Sequence, residues 1–259
     1  GPCVIEEKSI LFEIAEEVSK ICDDLNIKFI FKSSFDKSNR SSINSFRGPG
    51  IDNGLEVLSE IKQKYGVKLL TDIHESWQAK PVSEIVDTLQ IPAYLCRQTD
   101  LLLAAVKAIE ETQKSINIKK GQFLAPWDMK QVLNKINQAG ITCESNRIWL
   151  TERGTCFGYN TLVVDYRSLP ELRKLKCPVI FDATHSVQQP GGKGSSSGGQ
   201  REHVATLSRA AVAVGVAGVF IETHQDPDNA PSDGPNMIPL NQLDTLLDKL
   251  VQIDKLIKN

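Results

Sequence analysis

Residues 11–32 read LFEIAEEVSKICDDLNIKFIFK, and this stretch decides the fold. Ile10, Leu11, Ile14, Val18, Ile21 and Leu25 recur at the helical period. Phe29-Ile30-Phe31 then makes a short apolar run of strand length, closed by the charge of Lys32. The same unit repeats outward along the chain. Helical patterns cover Leu55 to Ile61, Leu101 to Ile109 and Met129 to Ala139. Leu243, Leu246, Leu247, Leu250, Ile253 and Ile257 form one stripe of a last helix. Strand-like runs lie at Val67–Leu70, Ile91–Leu95, Ile116–Ile118, Ile148–Leu150, Val179–Phe181 and Val219–Ile221. Gly1-Pro2-Cys3 reads as the tail of one more strand, which brings the count to eight. Eight apolar strands separated by amphipathic helices predict an α/β fold, a closed (β/α)8 TIM barrel forming one domain over 1–259, its N-terminal strand truncated in this sequence. An open doubly wound sheet is the alternative, but no GxGxxG follows an early strand.

Composition agrees. A chain of 259 residues can build one core that buries roughly 75% of its unfolded surface, so no staple is required. The net charge of −2 leaves no global basic footprint, and nucleic acid is not an expected partner. The longest apolar stretch, Ala210 to Ile221, is too short to cross a bilayer, so no membrane partner is expected and the reading is cytoplasmic. Six cysteines without a CxxC pair are expected to be reduced, each a packing residue or a lone ligand. The one low-complexity segment, Pro190 to Gln200, reads as a mobile loop and a plausible lid.

Charge collects where strands end. Lys32, Asp72 and His74, Arg97, Lys119 and Lys120, Glu152 and Arg153, Asp182 and His185, and Glu222 and His224 each follow an apolar run. In a barrel these ends converge on one face, where such folds place their active sites. The cations there exceed the needs of one small anion, and the donor-rich loop Lys37-Ser-Asn-Arg-Ser-Ser42 reads as a phosphate cradle. Cys3, His185, Glu222 and Asp233 form a second set: a thiol, an imidazole and two carboxylates. Such a mixed set suits a borderline divalent ion, Fe2+, Zn2+ or Mn2+, although their spacing matches no compact zinc signature.

Specific stretches carry a resemblance from end to end. They are Gly1-Pro2-Cys3, FKSSFDKSNRSS (31–42), SFRGPG (45–50), TDIHE (71–75), CRQTDLL (96–102), KKGQFLAPWDM (119–129), TERGTCFGYN (151–160), FDATHSVQQPGG (181–192), ETH (222–224) and SDGPN (232–236). With these the chain resembles the 3-deoxy-D-manno-octulosonate 8-phosphate synthase (2-dehydro-3-deoxyphosphooctonate aldolase) family. The resemblance implies condensation of phosphoenolpyruvate with D-arabinose 5-phosphate in a cytoplasmic homotetramer. It implies that Lys32, Lys119 and Arg153 bind phosphoenolpyruvate with His185 near its phosphate. Asn39, Arg40 and Ser41 then form the sugar-phosphate cradle, and Arg97 reaches it from a neighbouring subunit. Lys37 and Asp72 lie beside the aldehyde and the sugar hydroxyls, while His185 and Glu222 are candidate bases. Cys3, His185, Glu222 and Asp233 match the ligands of the metal-dependent branch. The Gly234-Pro235 pair looks more like the metal-independent branch, which has Asn where this chain has Cys3. The loop 37–42 disfavours an erythrose 4-phosphate enzyme. A metallohydrolase leaves the many cations unexplained, and a non-catalytic binding protein has no reason to keep Cys3, His185 and Lys119 together.

Overall fold

The computed structural model describes residues 1–258 apart from Lys193, Ser195 and Ser196. Its main sheet has seven parallel strands in sequential order. They are β1 (Ile30–Lys32), β2 (Lys68–Asp72), β3 (Thr88–Ile91), β4 (Ser115–Lys119), β5 (Ile148–Glu152), β6 (Val179–Asp182) and β7 (Gly218–Phe220). Helices α1 (Lys8–Asp24), α2 (Ile51–Tyr65), α3 (Ala79–Ile85), α4 (Thr99–Ile109), α5 (Met129–Gln138), α6 (Ser168–Arg173), α7 (Val204–Val214) and α8 (Leu240–Lys258) alternate with the strands. The apolar stripe read from α1 is the buried one: Leu11, Ile14, Val18 and Ile21 all face the core.

Strand pleating divides the side chains into two sets. Phe31, Leu69, Leu89, Ile91, Ile116, Ile118, Ile148, Leu150, Val179 and Phe181 are buried in one apolar core with the helices. The alternate positions carry Lys32, Asp72, Gln90, Asn117, Lys119, Thr151 and Asp182, all buried. Asn117 donates to Gln90 Oε1 at 3.1 Å, and Thr151 donates to Asn117 Oδ1, so the inner face is hydrogen-bonded across strands.

The sheet curls. β1 and β7 are its opposite edges, yet Lys32 Nζ at the end of β1 donates to Glu222 Oε1 at 2.8 Å, two residues past β7. Residues 1–5 run between those edges: Thr223 N donates to Gly1 O at 3.2 Å, and Ile5 N donates to Ser34 O at 2.9 Å. Val4 also forms a parallel bridge with Ser34. The structure thus shows a curled seven-stranded parallel sheet, the barrel-like part of the (β/α)8 fold expected from the sequence, with this segment bridging its edges. Below it, between Phe29 and Ile30 on one side and Val216, Gly218, Leu243 and Leu247 on the other, lies an apolar cavity of about 620 Å³.

One reading is corrected. The strand expected at Ile91–Leu95 is Thr88–Ile91, followed by a 3-10 turn at Ala93–Leu95. Pro92 has no N–H for the ladder, and the inward Thr88 and Gln90 hide the strand from an apolar count. The apolar stretch Ala210–Ile221 splits into the end of α7, a left-handed Gly215 (φ +91°) and β7. The proposed lid includes Lys193, Ser195 and Ser196, which lie outside the described residues. Its flanks, Gln188–Gln189 and Gly198–Gly199, pair as an antiparallel ladder. No helix among the described residues is long and apolar enough to cross a membrane.

Candidate active site

At the carboxyl end of the sheet three buried cations meet buried carboxylates. Lys119 ends β4 and pairs with Asp182, which ends β6. Its ammonium also lies 3.4 Å from the centre of the Phe220 ring. Burial lowers the Lys119 pKa from 10.5 to about 8, with Asp182 opposing the change. Lys32 donates to Cys3 O at 3.0 Å as well as to Glu222. Arg153 follows β5, where burial lowers its pKa too, and its guanidinium donates to Gln188 Oε1 at 2.8 Å.

The pleat explains why neighbouring cations play different parts. Lys119 points inward, whereas Lys120 points outward into the helix layer and is fully buried there. Its ammonium donates to Leu124 O and Thr155 Oγ1, both at 3.1 Å, and stands 3.5 Å from Glu152. Glu152 in turn accepts from the backbone N–H groups of Arg153 (2.9 Å) and Gly154 (2.7 Å), fixing the turn that carries Arg153. Gly154 needs its left-handed φ of +92° there, a conformation that other residues rarely adopt.

Beside the cations, one ligand atom each from Cys3, Glu222 and Asp233 lies within 4.8 Å of the others. His185 completes the expected set from the side: its Nε2 is 3.6 Å from Asp233 Oδ2 and 3.8 Å from Glu222 Oε2. Its Nδ1 is 2.8 Å from Asp182 Oδ2. Burial opposes a charged His185, but Asp182 and Glu222 outweigh it and raise its pKa. The Cys3 thiol is pushed far up by burial and by the Glu222 carboxylate, so a thiolate there requires a cation. Glu222 Oε2 is buried with no hydrogen-bond partner among the described residues. A thiol, an imidazole and two carboxylates with one unpartnered oxygen fit a divalent ion such as Zn2+, Fe2+ or Mn2+. Asp233 reaches this place from a left-handed conformation (φ +52°) at the head of the turn Gly234–Asn236.

Asp72 ends β2, 2.9 Å from His74 Nε2, and accepts from Ser34 Oγ. Burial would raise its pKa, but His74, Lys37 and Lys32 hold it well below the usual range. Burial acts downward on the half-buried Lys37, yet Cys3, Asp72, Glu222 and Asp233 raise its pKa overall.

The sequence profile of the DAHP synthetase I family matches residues 1–259. The chain belongs to that family. A protein of Cyanothece sp. named 2-dehydro-3-deoxyphosphooctonate aldolase is 60% identical over 253 residues, covering 98% of this chain and 90% of its own. Namesakes from Synechococcus sp. and Brucella ovis are each 57% identical, covering 98% and 100% of this chain and 86% and 90% of theirs.

The remaining expected residues of this family member are more dispersed. Arg40 donates from Nε to Phe46 O (3.0 Å) and through NH2 to Pro231 O (3.3 Å), next to the Asp233 loop. Asn39 and Ser41 are exposed on the same loop. Arg97 is exposed and stacks on Phe123, its guanidinium carbon 4.8 Å from the ring centre. Sequence reasoning missed Gln188, Ser34 and the pairing of Lys120 with Glu152. Gln188 was visible only as the third residue after His185. Ser34 carries no charge to advertise it, and the Lys120 pairing follows from which side of the pleat each neighbour takes.

Proposed function

We propose that this chain condenses phosphoenolpyruvate with D-arabinose 5-phosphate and water, giving 3-deoxy-D-manno-octulosonate 8-phosphate and inorganic phosphate. This is a carbon–carbon bond-forming transferase step of lipopolysaccharide carbohydrate biosynthesis. The observation that carries the reading is the stack of Lys32, Lys119 and Arg153 beside the Cys3, Glu222 and Asp233 group, in a chain 57–60% identical over nearly its whole length to the named aldolases.

In this reading Lys119, Arg153 and Lys32 hold phosphoenolpyruvate, with His185 toward its phosphate. Asn39, Arg40 and Ser41 hold the phosphate of the sugar, and Lys37 and Asp72 flank its aldehyde and hydroxyls. Two anions that repel each other in water are thereby held at reacting distance by fixed cations. C3 of phosphoenolpyruvate bonds to the aldehyde carbon while water adds at C2, and the resulting hemiketal expels phosphate by C–O cleavage. His185, Glu222 or a phosphate oxygen is the candidate to take the proton from the water, and Lys37 supplies positive charge beside the aldehyde. Cys3, His185, Glu222 and Asp233 would hold a divalent ion, which would supply Lewis acidity toward the aldehyde or the water.

The same reading takes residues 1–5, which bridge β1 and β7, as part of the strand that closes the barrel. It assembles four chains in the cytoplasm so that Arg97 of one reaches the sugar phosphate of the next. The test is phosphate release from phosphoenolpyruvate with arabinose 5-phosphate, with erythrose 4-phosphate and with no aldose, each with and without chelator. Release with arabinose 5-phosphate is expected. Release with erythrose 4-phosphate alone, or none at all, would refute the assignment.

A further inference from the structure

The Gln188 side chain touches both Arg153 of the cation stack and Asp233 of the thiol–carboxylate group. Its Oε1 accepts from the Arg153 guanidinium at 2.8 Å, and its Nε2 donates to Asp233 Oδ1 at 3.0 Å. A guanidinium only donates and a carboxylate only accepts, so these two partners fix which end of the amide faces which. The other Asp233 oxygen is the one that faces the site: Oδ2 lies 3.2 Å from Cys3 Sγ and 3.6 Å from His185 Nε2. The amide thus holds the rear oxygen of a ligand carboxylate while it steadies a cation of the anion site.

Its backbone is anchored as well. Gln188 pairs with Gly199 in the antiparallel ladder, and that ladder rests on the Asp233 loop. A Cβ at Gly199 would fall 1.6 Å from Asn236 Oδ1 and 3.1 Å from the backbone of Pro235, so only glycine lets the two segments pack this closely. The hairpin stem, the Asp233 loop and the turn after β5 therefore meet at a single amide.

We propose that Gln188 is a positioning residue that links binding of the divalent ion to binding of the anionic substrate. It aims Asp233 at the ion and Arg153 at the anion, and each ligand then stiffens the frame the other needs. Linkage of this kind is reciprocal: if the ion tightens the anion by some factor, the anion tightens the ion equally. The inference rests on the function proposed above, with phosphoenolpyruvate as the anion.

The test measures binding, without turnover. Co2+ is titrated into metal-stripped protein, followed by its thiolate charge-transfer absorbance. Phosphoenolpyruvate is titrated by calorimetry into the metal-free and the Co2+-loaded protein, with no aldose present. The unaltered protein is expected to bind phosphoenolpyruvate more tightly when loaded. Gln188→Met keeps the length of the side chain but removes both hydrogen bonds. It should weaken Co2+ about 10–100-fold, the usual range for loss of a group that orients a metal ligand. It should also narrow the difference between the loaded and metal-free affinities for phosphoenolpyruvate, leaving only the part that comes from the ion's charge. Gln188→Glu keeps an oxygen for Arg153 but has no donor for Asp233, so it should bind phosphoenolpyruvate without metal and depend less on Co2+. Gln189→Met, on the same ladder, should match the unaltered protein. Thermal melting of each variant identifies one that fails to fold, and Gln188→Glu then stands in for Gln188→Met. Unchanged linkage in both Gln188 variants, or equal losses in Gln189→Met, would overturn the inference. An unaltered protein that binds neither Co2+ nor phosphoenolpyruvate would overturn the functional reading first, and this inference with it.

Discussion

Lys119 offers the sharpest test of the anion site, because its charge is held under strain. Burial lowers its pKa from 10.5 to about 8 although Asp182 lies against it. That change corresponds to about 3 kcal/mol in favour of the neutral amine. A dianion placed on Lys119 reverses it, since an opposite charge favours the ammonium. Phosphoenolpyruvate should therefore bind the metal-free protein with constant affinity at neutral pH. Above a pH of about 8, where the free site has lost its proton and must regain it on binding, affinity should weaken about tenfold per unit. Calorimetry between about pH 7 and about pH 10, repeated in buffers of different ionisation enthalpy, reads both the affinity and the proton taken up.

Two variants assign that alkaline limb. Lys119→Arg carries a guanidinium that stays charged throughout, so the limb should vanish. Asp182→Asn removes the carboxylate that props Lys119 up and should move the limb to lower pH. His185, whose pKa is also raised, is a competing source of a proton. If the limb survives unchanged in Lys119→Arg, it belongs to His185 or another group. If binding stays flat to the alkaline end, Lys119 is not the cation that meets the anion.

Arg40→Ala should raise the KM for the sugar phosphate by the equivalent of about 1.5–3 kcal/mol, the value of one charge-assisted contact, and leave that for phosphoenolpyruvate nearly unchanged. Equal effects on both substrates would place Arg40 elsewhere. Stripping metal with a strong chelator should abolish phosphate release, and Mn2+, Fe2+ or Co2+ should restore it, whereas undiminished turnover would defeat the metal assignment. Cys3→Asn should leave a slower enzyme that no longer responds to chelator, since an amide can still hydrogen-bond water. Glu222→Gln removes the counter-charge 2.8 Å from Lys32. In the metal-free protein this variant should bind phosphoenolpyruvate more tightly than the unaltered chain, and calorimetry showing weaker binding would contradict that role for Lys32.

What could be read from sequence alone follows physical rules. The helix stripe of Leu11, Ile14, Val18 and Ile21 was legible because burial on one face leaves a period in the residues. The strand at Thr88–Ile91 was displaced because its inward residues are the polar Thr88 and Gln90, the latter hydrogen-bonded across strands to Asn117. Strand-end charges announced the site, but not how they divide. Lys119 and Lys120 look alike in a string of letters, and only the pleat sends one toward Asp182 and the other toward Glu152. Arg97 was chosen by likeness, and within one chain it stacks on Phe123, far from a role that needs a neighbour.

The charges at the carboxyl end also imply an order of events. Lys32, Lys37, Lys119 and Arg153 face Asp72, Asp182, Glu222 and Asp233, so four cations are matched by four carboxylates. Lys32 is engaged by Glu222 and Lys119 by Asp182. Without further positive charge an incoming anion must displace internal partners, and the gain from each new contact is offset by the pair it breaks. A divalent ion on Cys3, His185, Glu222 and Asp233 changes that balance. It would take the unpartnered Oε2 of Glu222, whose Oε1 holds Lys32, and would draw on Asp233, whose other oxygen is tied through Gln188 to Arg153. Sharing those carboxylates with the ion would weaken their hold on the cations. The site is thus better prepared for phosphoenolpyruvate with the ion in place than without it, and the ion should precede the first substrate.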